Sequence, residues 1–227
     1  MSEIDVRKHF AAQAAEYESL MVRLIPRYLE QHHVVAELLP DDRDRQYRVL
    51  DLGCGNGVLA EVVLRKLPRA HVTGFDITDE MLQAFEHKVA AFTKSYRLVL
   101  GDYRVDSIGG SYDIVLAGLT LHHLTTDERR SFYGTLFASM NPGAVLVSRD
   151  VIIDDDDRVR EHQYALWKQH MRAHGEDPEH WYHKHLAKDH PVTLGSMLSW
   201  MREAGFVEAS CYWRLHNFAI TRCRRSL

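Results

Sequence analysis

The residues best suited to chemistry begin with three glycines at alternating positions, Gly53, Gly55 and Gly57, which follow the run Val49-Leu50-Asp51-Leu52. Without Cβ atoms, glycines let the backbone turn sharply and approach a ligand closely. A helix starting near Val58 would present free amides at the same place, and its positive end favours a carboxylate or phosphate. The next apolar run ends in a carboxylate, Asp76, an acceptor for two vicinal hydroxyls. Asp102 follows a third run and can accept from an exocyclic amine. Asp51 organises the glycine loop or receives a ligand ammonium. A strand, a glycine turn, a helix and a second strand ending in an acid can hold a nucleoside-containing cofactor at the carboxyl edge of a parallel sheet. The spacing is Gly-x-Gly-x-Gly, and Val58 stands where a dinucleotide fingerprint needs its third glycine.

A second set of reactive residues lies in Leu119-Thr120-Leu121-His122-His123-Leu124. An imidazole is suited to removing a proton near neutrality, so His122 and His123 are the candidate catalytic residues. Cys54 sits inside the glycine turn, where a small side chain is useful. The 15 histidines raise the question of a metal. His180, His183, His185 and His190, with His162, Gln163, His170 and His174 before them, could converge. Their spacing shares a helix face only roughly, and the cysteines are dispersed, so no metal is expected.

The elements that position these groups can be read from periodicity. Tyr47–Leu52, His71–Phe75, Arg97–Leu100, Tyr112–Ala117 and Ala144–Ile152 read as strands. Val58–Leu67, Glu80–Phe92 and Thr126–Met140 read as the helices between them, and Asn141-Pro142-Gly143 as a turn. Short apolar strands alternating with helices imply a parallel sheet with crossover helices. Residues 5–38 read as helical, with Phe10, Tyr17, Leu20, Leu24 and Ile25 in apolar stripes and an interruption at Pro26. This segment, 1–40, is expected as a cap packed over the sheet edge. The core is expected at 45–152. Residues 154–190, polar, aromatic and histidine-rich, read as a lid of two helices. Residues 193–227 supply a helix, Leu194–Ala204, and late strands at Phe206–Trp213 and Phe218–Thr221.

Asp51-x-Gly53-x-Gly55-x-Gly57, Asp76, Gly101-Asp102, Gly118-Leu119 and Asn141-Pro142-Gly143, in that order over residues 47–152, resemble the landmarks of class I S-adenosylmethionine-dependent methyltransferases. The resemblance is nearest to the members acting on small molecules. It implies an α/β, Rossmann-like, mainly parallel seven-stranded sheet with helices on both faces and an added helical cap. It also implies S-adenosyl-L-methionine as cofactor. On that basis Tyr17, Arg23, Asp51, Gly53, Cys54, Gly55, Gly57, Asp76, Ile77, Met81, Asp102, Tyr103, Gly118 and Leu119 are expected around the cofactor. Tyr28, His123, Trp167, Trp181, Tyr182 and Trp213 are expected around the methyl acceptor. RNA or protein methylation and non-catalytic cofactor binding are the alternatives. The chain also resembles the carboxymethyl-transfer tRNA enzymes. These tend to replace the second loop glycine and differ after the fourth strand, which favours the ordinary cofactor here.

Composition sets outer bounds. A length of 227 residues suits one α/β domain with an extra lobe, and a net charge of -4 gives no broad attraction for nucleic acid. Three arginines near the end, Arg222, Arg224 and Arg225, read as a solvated tail. Three unpaired cysteines, no signal-like start around Glu3, Asp5 and Lys8, and no long apolar run point to the cytoplasm and away from a membrane. The aromatic lid residues could alternatively form a homodimer contact.

Overall fold

The computed structural model describes residues 16–227. The expectations for residues 1–15, including Phe10, lie outside the described residues. Helix α1 covers described residues 16–24 and breaks at Pro26, and α2 (Tyr28–Leu38) follows. The core alternates β1 (Arg48–Leu52), α3 (Val58–Lys66), β2 (His71–Asp76), α4 (Asp79–Val89), β3 (Tyr96–Leu100) and β4 (Tyr112–Gly118). A 3-10 turn at Leu121–His123 leads to α5 (Thr126–Ser139) and β5 (Met140–Ile153). The lid helices are α6 (Asp157–Ala173) and α7 (Pro178–Lys188), and the chain ends β6 (Val192–Thr193), α8 (Leu194–Glu203), β7 (Phe206–Leu215), β8 (Phe218–Arg225).

The strands lie in the order β3-β2-β1-β4-β5-β8-β7. Pairing is parallel from β3 through β5 and antiparallel at β5–β8 and β7–β8. From β1 the chain builds outward through β2 and β3, then returns to place β4 on the other side of β1. That reversal opens a crevice beyond the carboxyl ends of β1 and β4, where ligands of open α/β sheets bind. Strand alternation feeds two cores. Leu50, Leu52, Val115 and Leu146 meet α5 and α8 through Tyr133, Leu136, Met197 and Met201. Val49, Ile114, Leu116 and Val147 meet α2, α3 and α4 through Val35, Val63 and Phe85. Both faces are covered, which is why the central strands read as continuous apolar runs.

A third cluster joins the amino-terminal segment to the lid: Leu24, Ile25 and Tyr28 pack with Tyr164, Trp167, Met171 and Phe218. Trp167 Nε1 donates to the Leu24 carbonyl at 2.8 Å. The two segments therefore meet above the carboxyl edge of the sheet. Helix α2, however, lies on the sheet face against Val145, Val147 and Ile220, not over an edge.

Three local features differ from the sequence reading. The seven-stranded path carries an eighth strand, β6, paired only with the end of β5; two residues are too few to show a period. Asn141-Pro142-Gly143 is not a free turn but an irregular start of β5, where pairing jumps from Tyr112–Met140 to Ile114–Val145. The last two strands run longer than expected, because each pairs along one whole side with the other. Among the described residues no helix is long and apolar enough to cross a membrane.

Candidate functional site

The crevice holds a cavity of about 360 Å³. Its floor is the glycine loop. Gly53 and Gly55 have φ of 59° and 51°, left-handed values that glycine adopts at no steric cost. A Cβ on Gly53 would lie 2.1 Å from Thr120 Oγ1, so the β1 loop and the β4 loop can close together only with glycine there. Gly55 N donates to Asp76 Oδ2 at 2.9 Å, and the other oxygen accepts from Thr78 N at 3.0 Å. These amides aim the carboxylate at the cavity before any ligand arrives.

Asp51 lies at the deep end, 1% exposed, accepting from Ala60 N at 3.1 Å. Burial pushes its carboxyl up to about 8, against the lowering effects of the Ala60 amide and Arg149. Burial likewise raises the Cys54 thiol well above its ordinary value, which leaves it a neutral packing group. At the outer lip, Ile77 is 60% exposed although apolar, a surface that a flat ligand ring would cover. Tyr17, Met81, Asp102, Tyr103, Gly118 and Leu119 complete the expected lining. Both Asp102 oxygens are engaged by Arg104, which holds that carboxyl below its ordinary value.

A second cavity, about 240 Å³, adjoins the first. Trp167, Trp181, Phe218, Leu24 and Ile25 give it apolar walls, and His122, His123, His185 and Asp189 a polar end. The polar end is a relay. Asp150, fully buried, lies 2.5 Å from His122 Nδ1 and 3.3 Å from Arg129 Nη2. Burial opposes its ionisation, but His122 and Arg129 outweigh it and hold the carboxyl below its ordinary value. Asp189 Oδ1 is 3.1 Å from His123 Nδ1, and Oδ2 is 2.7 Å from His185 Nδ1. Partial burial would raise Asp189, yet hydrogen bonds from both histidines hold it well below the usual carboxylate range. His185 Nε2 reaches Tyr164 Oη at 3.1 Å. His123 is half-exposed and lines both cavities, whereas His122 is buried beneath the second.

Several expected residues take other roles. Arg23 pairs with Glu176 at 2.6 Å and lines neither cavity; Glu176 also accepts from Trp181 Nε1 at 3.0 Å. The arginine thus straps α1 to the lid, because a carboxylate at the α6–α7 connection reaches it first. Gly57 caps α3 at φ 81°, and a Cβ there would meet Phe85 at 2.9 Å, so its work is helix packing. Tyr28 lines the first cavity, not the second. Tyr182 packs beside Tyr164 in the cap, and Trp213 donates to Glu30 at 2.8 Å; neither lines the second cavity.

The histidine run does not converge. His180, His183 and His190 are exposed, and His183 Nδ1 is satisfied by the Glu179 carbonyl. Among the described residues, the three-residue group with ligand atoms close enough for an ion is His122, His123 and Asp189, within 4.8 Å of one another. All three are already engaged, His122 by Asp150, and Asp189 by His123 and His185.

The sequence reading missed Thr120, Asp189 and Arg149. Arg149 left a signal: Ser148-Arg149-Asp150 interrupts an apolar strand, and charged residues mid-strand in a covered sheet are rarely idle. Asp189 left none, since it is one acid among many at a helix end.

Comparison with known proteins agrees with this geometry. A model of the methyltransferase domain matches residues 49–143. The chain is 24% identical over 213 residues to the carboxy-S-adenosyl-L-methionine synthase of Shewanella amazonensis, covering 91% of this chain and 87% of that protein. Among solved structures it resembles an O-methyltransferase family protein from Burkholderia thailandensis, with a TM-score of 0.69, 21% identity and 99% of this chain aligned. It also resembles the S-adenosylmethionine-dependent methyltransferase SibL, with a TM-score of 0.63, 21% identity and 88% of this chain aligned. The chain spans 63% and 56% of the lengths of these two proteins, respectively.

Proposed function

Because the chain belongs to the class I S-adenosylmethionine-dependent methyltransferase superfamily and takes S-adenosylmethionine as its cofactor, we propose that it transfers the methyl group to a hydroxyl of a small, largely apolar molecule held in the second cavity. The observation that carries this reading is the seam between the two cavities, where both share Tyr17, Met21, Leu119 and His123.

The first cavity suits the cofactor. Asp76 is aimed by backbone amides for a ribose diol, Ile77 offers a face for adenine, and Asp51 lies at the deep end for an ammonium. Bound there, the cofactor supplies an electrophilic methyl on a positively charged sulfur, which an acceptor oxygen takes with its own electron pair while the carbon–sulfur pair stays on sulfur. The protein's part is alignment, water exclusion and proton removal. Tyr17 and Met21 close the seam from α1, and Trp167 and Trp181 hold the acceptor's apolar body. His123 accepts the hydroxyl proton on Nε2, because Nδ1 is committed to Asp189. Asp189, kept ionised by its histidines, stabilises the resulting imidazolium. His122 is the buried positioning residue that Asp150 holds in place.

The likeness to the Shewanella protein along nearly its whole length supports a second reading, in which the cofactor itself is carboxylated. One experiment separates the two. Cofactor with an isotopically labelled methyl is incubated with the protein and a metabolite extract, and products are read by mass spectrometry. Label in a new small molecule together with S-adenosylhomocysteine supports methyl transfer. Label retained in a cofactor that has gained a carboxyl group favours the second reading. No labelled product of either kind overturns both.

A further inference from the structure

Arg149 is a charged side chain of the first cavity that the mechanism above does not use. It stands near the carboxyl end of β5, in register with Gly118 of β4, and is 2% exposed. Among the described residues, neither its Nε nor its Nη1 meets a hydrogen-bond acceptor. The second deeply buried arginine, Arg129, makes a useful contrast. Its Nε donates to the Leu121 carbonyl at 2.8 Å, and although its Nη1 and Nη2 form no hydrogen bond, its charge is paired, with Nη2 3.3 Å from Asp150. Arg149 has no such carboxylate partner among the described residues. What it does have is the ring of Tyr28, 4.8 Å from its Cζ. A ring face compensates part of the desolvation of a guanidinium but occupies none of its N–H groups.

A buried guanidinium with free donors is costly unless something completes it. Its planar fork matches a carboxylate, which can accept two parallel bonds. Arg149 lines the same cavity as Asp51. The two side chains share the α3 face of the sheet, and Asp51 feels the arginine's charge. The cavity therefore offers a carboxyl group and a guanidinium with no carboxylate partner among the described residues, the complement of an amino acid's ammonium and carboxylate. It also offers Asp76 and Ile77 for the nucleoside.

We propose that Arg149 is the carboxylate anchor for the methionine moiety of the cofactor. The resemblance places Arg23 beside the cofactor, but Glu176 occupies that arginine. The position on β5 has a consequence for orientation. Leu119 N donates to the Arg149 carbonyl at 2.7 Å, so the anchor is tied to the loop that leads to His122 and His123. Holding the carboxylate there sets the depth of the sulfur relative to the seam.

The test is a binding measurement on the full chain, independent of any acceptor and of which group is transferred. Calorimetry compares S-adenosylmethionine with decarboxylated S-adenosylmethionine, which keeps the sulfonium, the amine and the nucleoside. The unmodified protein is expected to prefer the carboxylated form by about ten- to a hundredfold, the range of a charge-assisted pair. Arg149→Met should bring the two affinities within about threefold of each other by weakening only the carboxylated form. Arg149→Lys, which keeps the charge and loses the fork, should fall between. Equal affinities in the unmodified protein overturn the proposal, and that result needs no variant to fold. Equal weakening of both ligands by Arg149→Met also overturns it, because the arginine would then only pack against Tyr28.

Discussion

The two cavities are neighbours but are built in opposite ways. The first is made of strand ends and the turns that leave them. Its key contacts run through backbone, such as the Gly55 amide on Asp76, and through contacts that only glycine permits, such as Gly53 beneath Thr120. The second is made of side chains gathered from α1, the β4 loop and the lid, segments far apart in the chain. Its ties are single bonds, such as Trp167 to the Leu24 carbonyl and Arg23 to Glu176. The lesson is a division of labour. The geometry of the first cavity is locked into the fold, whereas the second can change with the cap and leave the sheet intact.

Mutations on the two sides should therefore give separable losses. The largest is expected at the seam. His123→Gln should slow single-turnover methyl transfer by about 10²–10⁴-fold, the usual worth of a general base. Affinity for S-adenosylhomocysteine should stay nearly constant, and part of the deficit should return at high pH, where the acceptor ionises unaided. A rate unchanged across pH would reduce His123 to loop packing.

The next effect belongs to the first cavity. Asp76→Ala removes the carboxylate proposed as the ribose acceptor, which should weaken both sulfur nucleosides by about 1.5–3 kcal/mol in calorimetry. The maximal rate at saturating cofactor should change far less. A large loss of maximal rate with unchanged affinity would erase the distinction between the two sides.

A smaller, pH-dependent signature comes from Asp51, whose burial raises it to about 8 in the folded protein. The unfolded chain has the ordinary aspartate value of about 3.9. Between those values the folded state binds more protons, so stability of the free protein should fall as pH rises from 5 to 8 and level off above. Asp51→Asn should flatten that slope in urea melts. A cofactor ammonium favours the ionised form, so binding near pH 7 should release a fraction of a proton, seen as buffer-dependent heats that Asp51→Asn abolishes. The smallest effect is expected at the strap. Glu176→Gln breaks a partly exposed ion pair, and the acceptor KM should rise by no more than about fivefold. Cofactor affinity should not move.

How much of this was legible follows the same division. Residues 47–152 were readable because the central strands β1 and β4 are largely apolar on both faces and glycines or prolines punctuate several of the turns. Gly53, Gly55 and Asp76 mark a ligand crevice by spacing, and the family resemblance adds Asp102; all four line the first cavity. The lid was readable as a change of composition, and its two helices begin where Asp156 and Asp177 cap them. The partners inside the cap were not readable. Arg23 looks like a ligand clamp until Glu176 is seen beside it, and Trp213 and Tyr182 look like pocket walls until they turn out to pack elsewhere.

Local sequence by itself determined the Rossmann-like frame and the identity of the cofactor crevice, because chain reversal, helix starts and strand ends depend on residues close together in the chain. Tertiary structure alone decided which histidine meets the seam, that Asp189 completes it, and that Arg149 is left buried with free donors. Those outcomes depend on contacts between distant segments. They are set by packing of α1 and the lid on the sheet edge, and no periodicity within either segment encodes them.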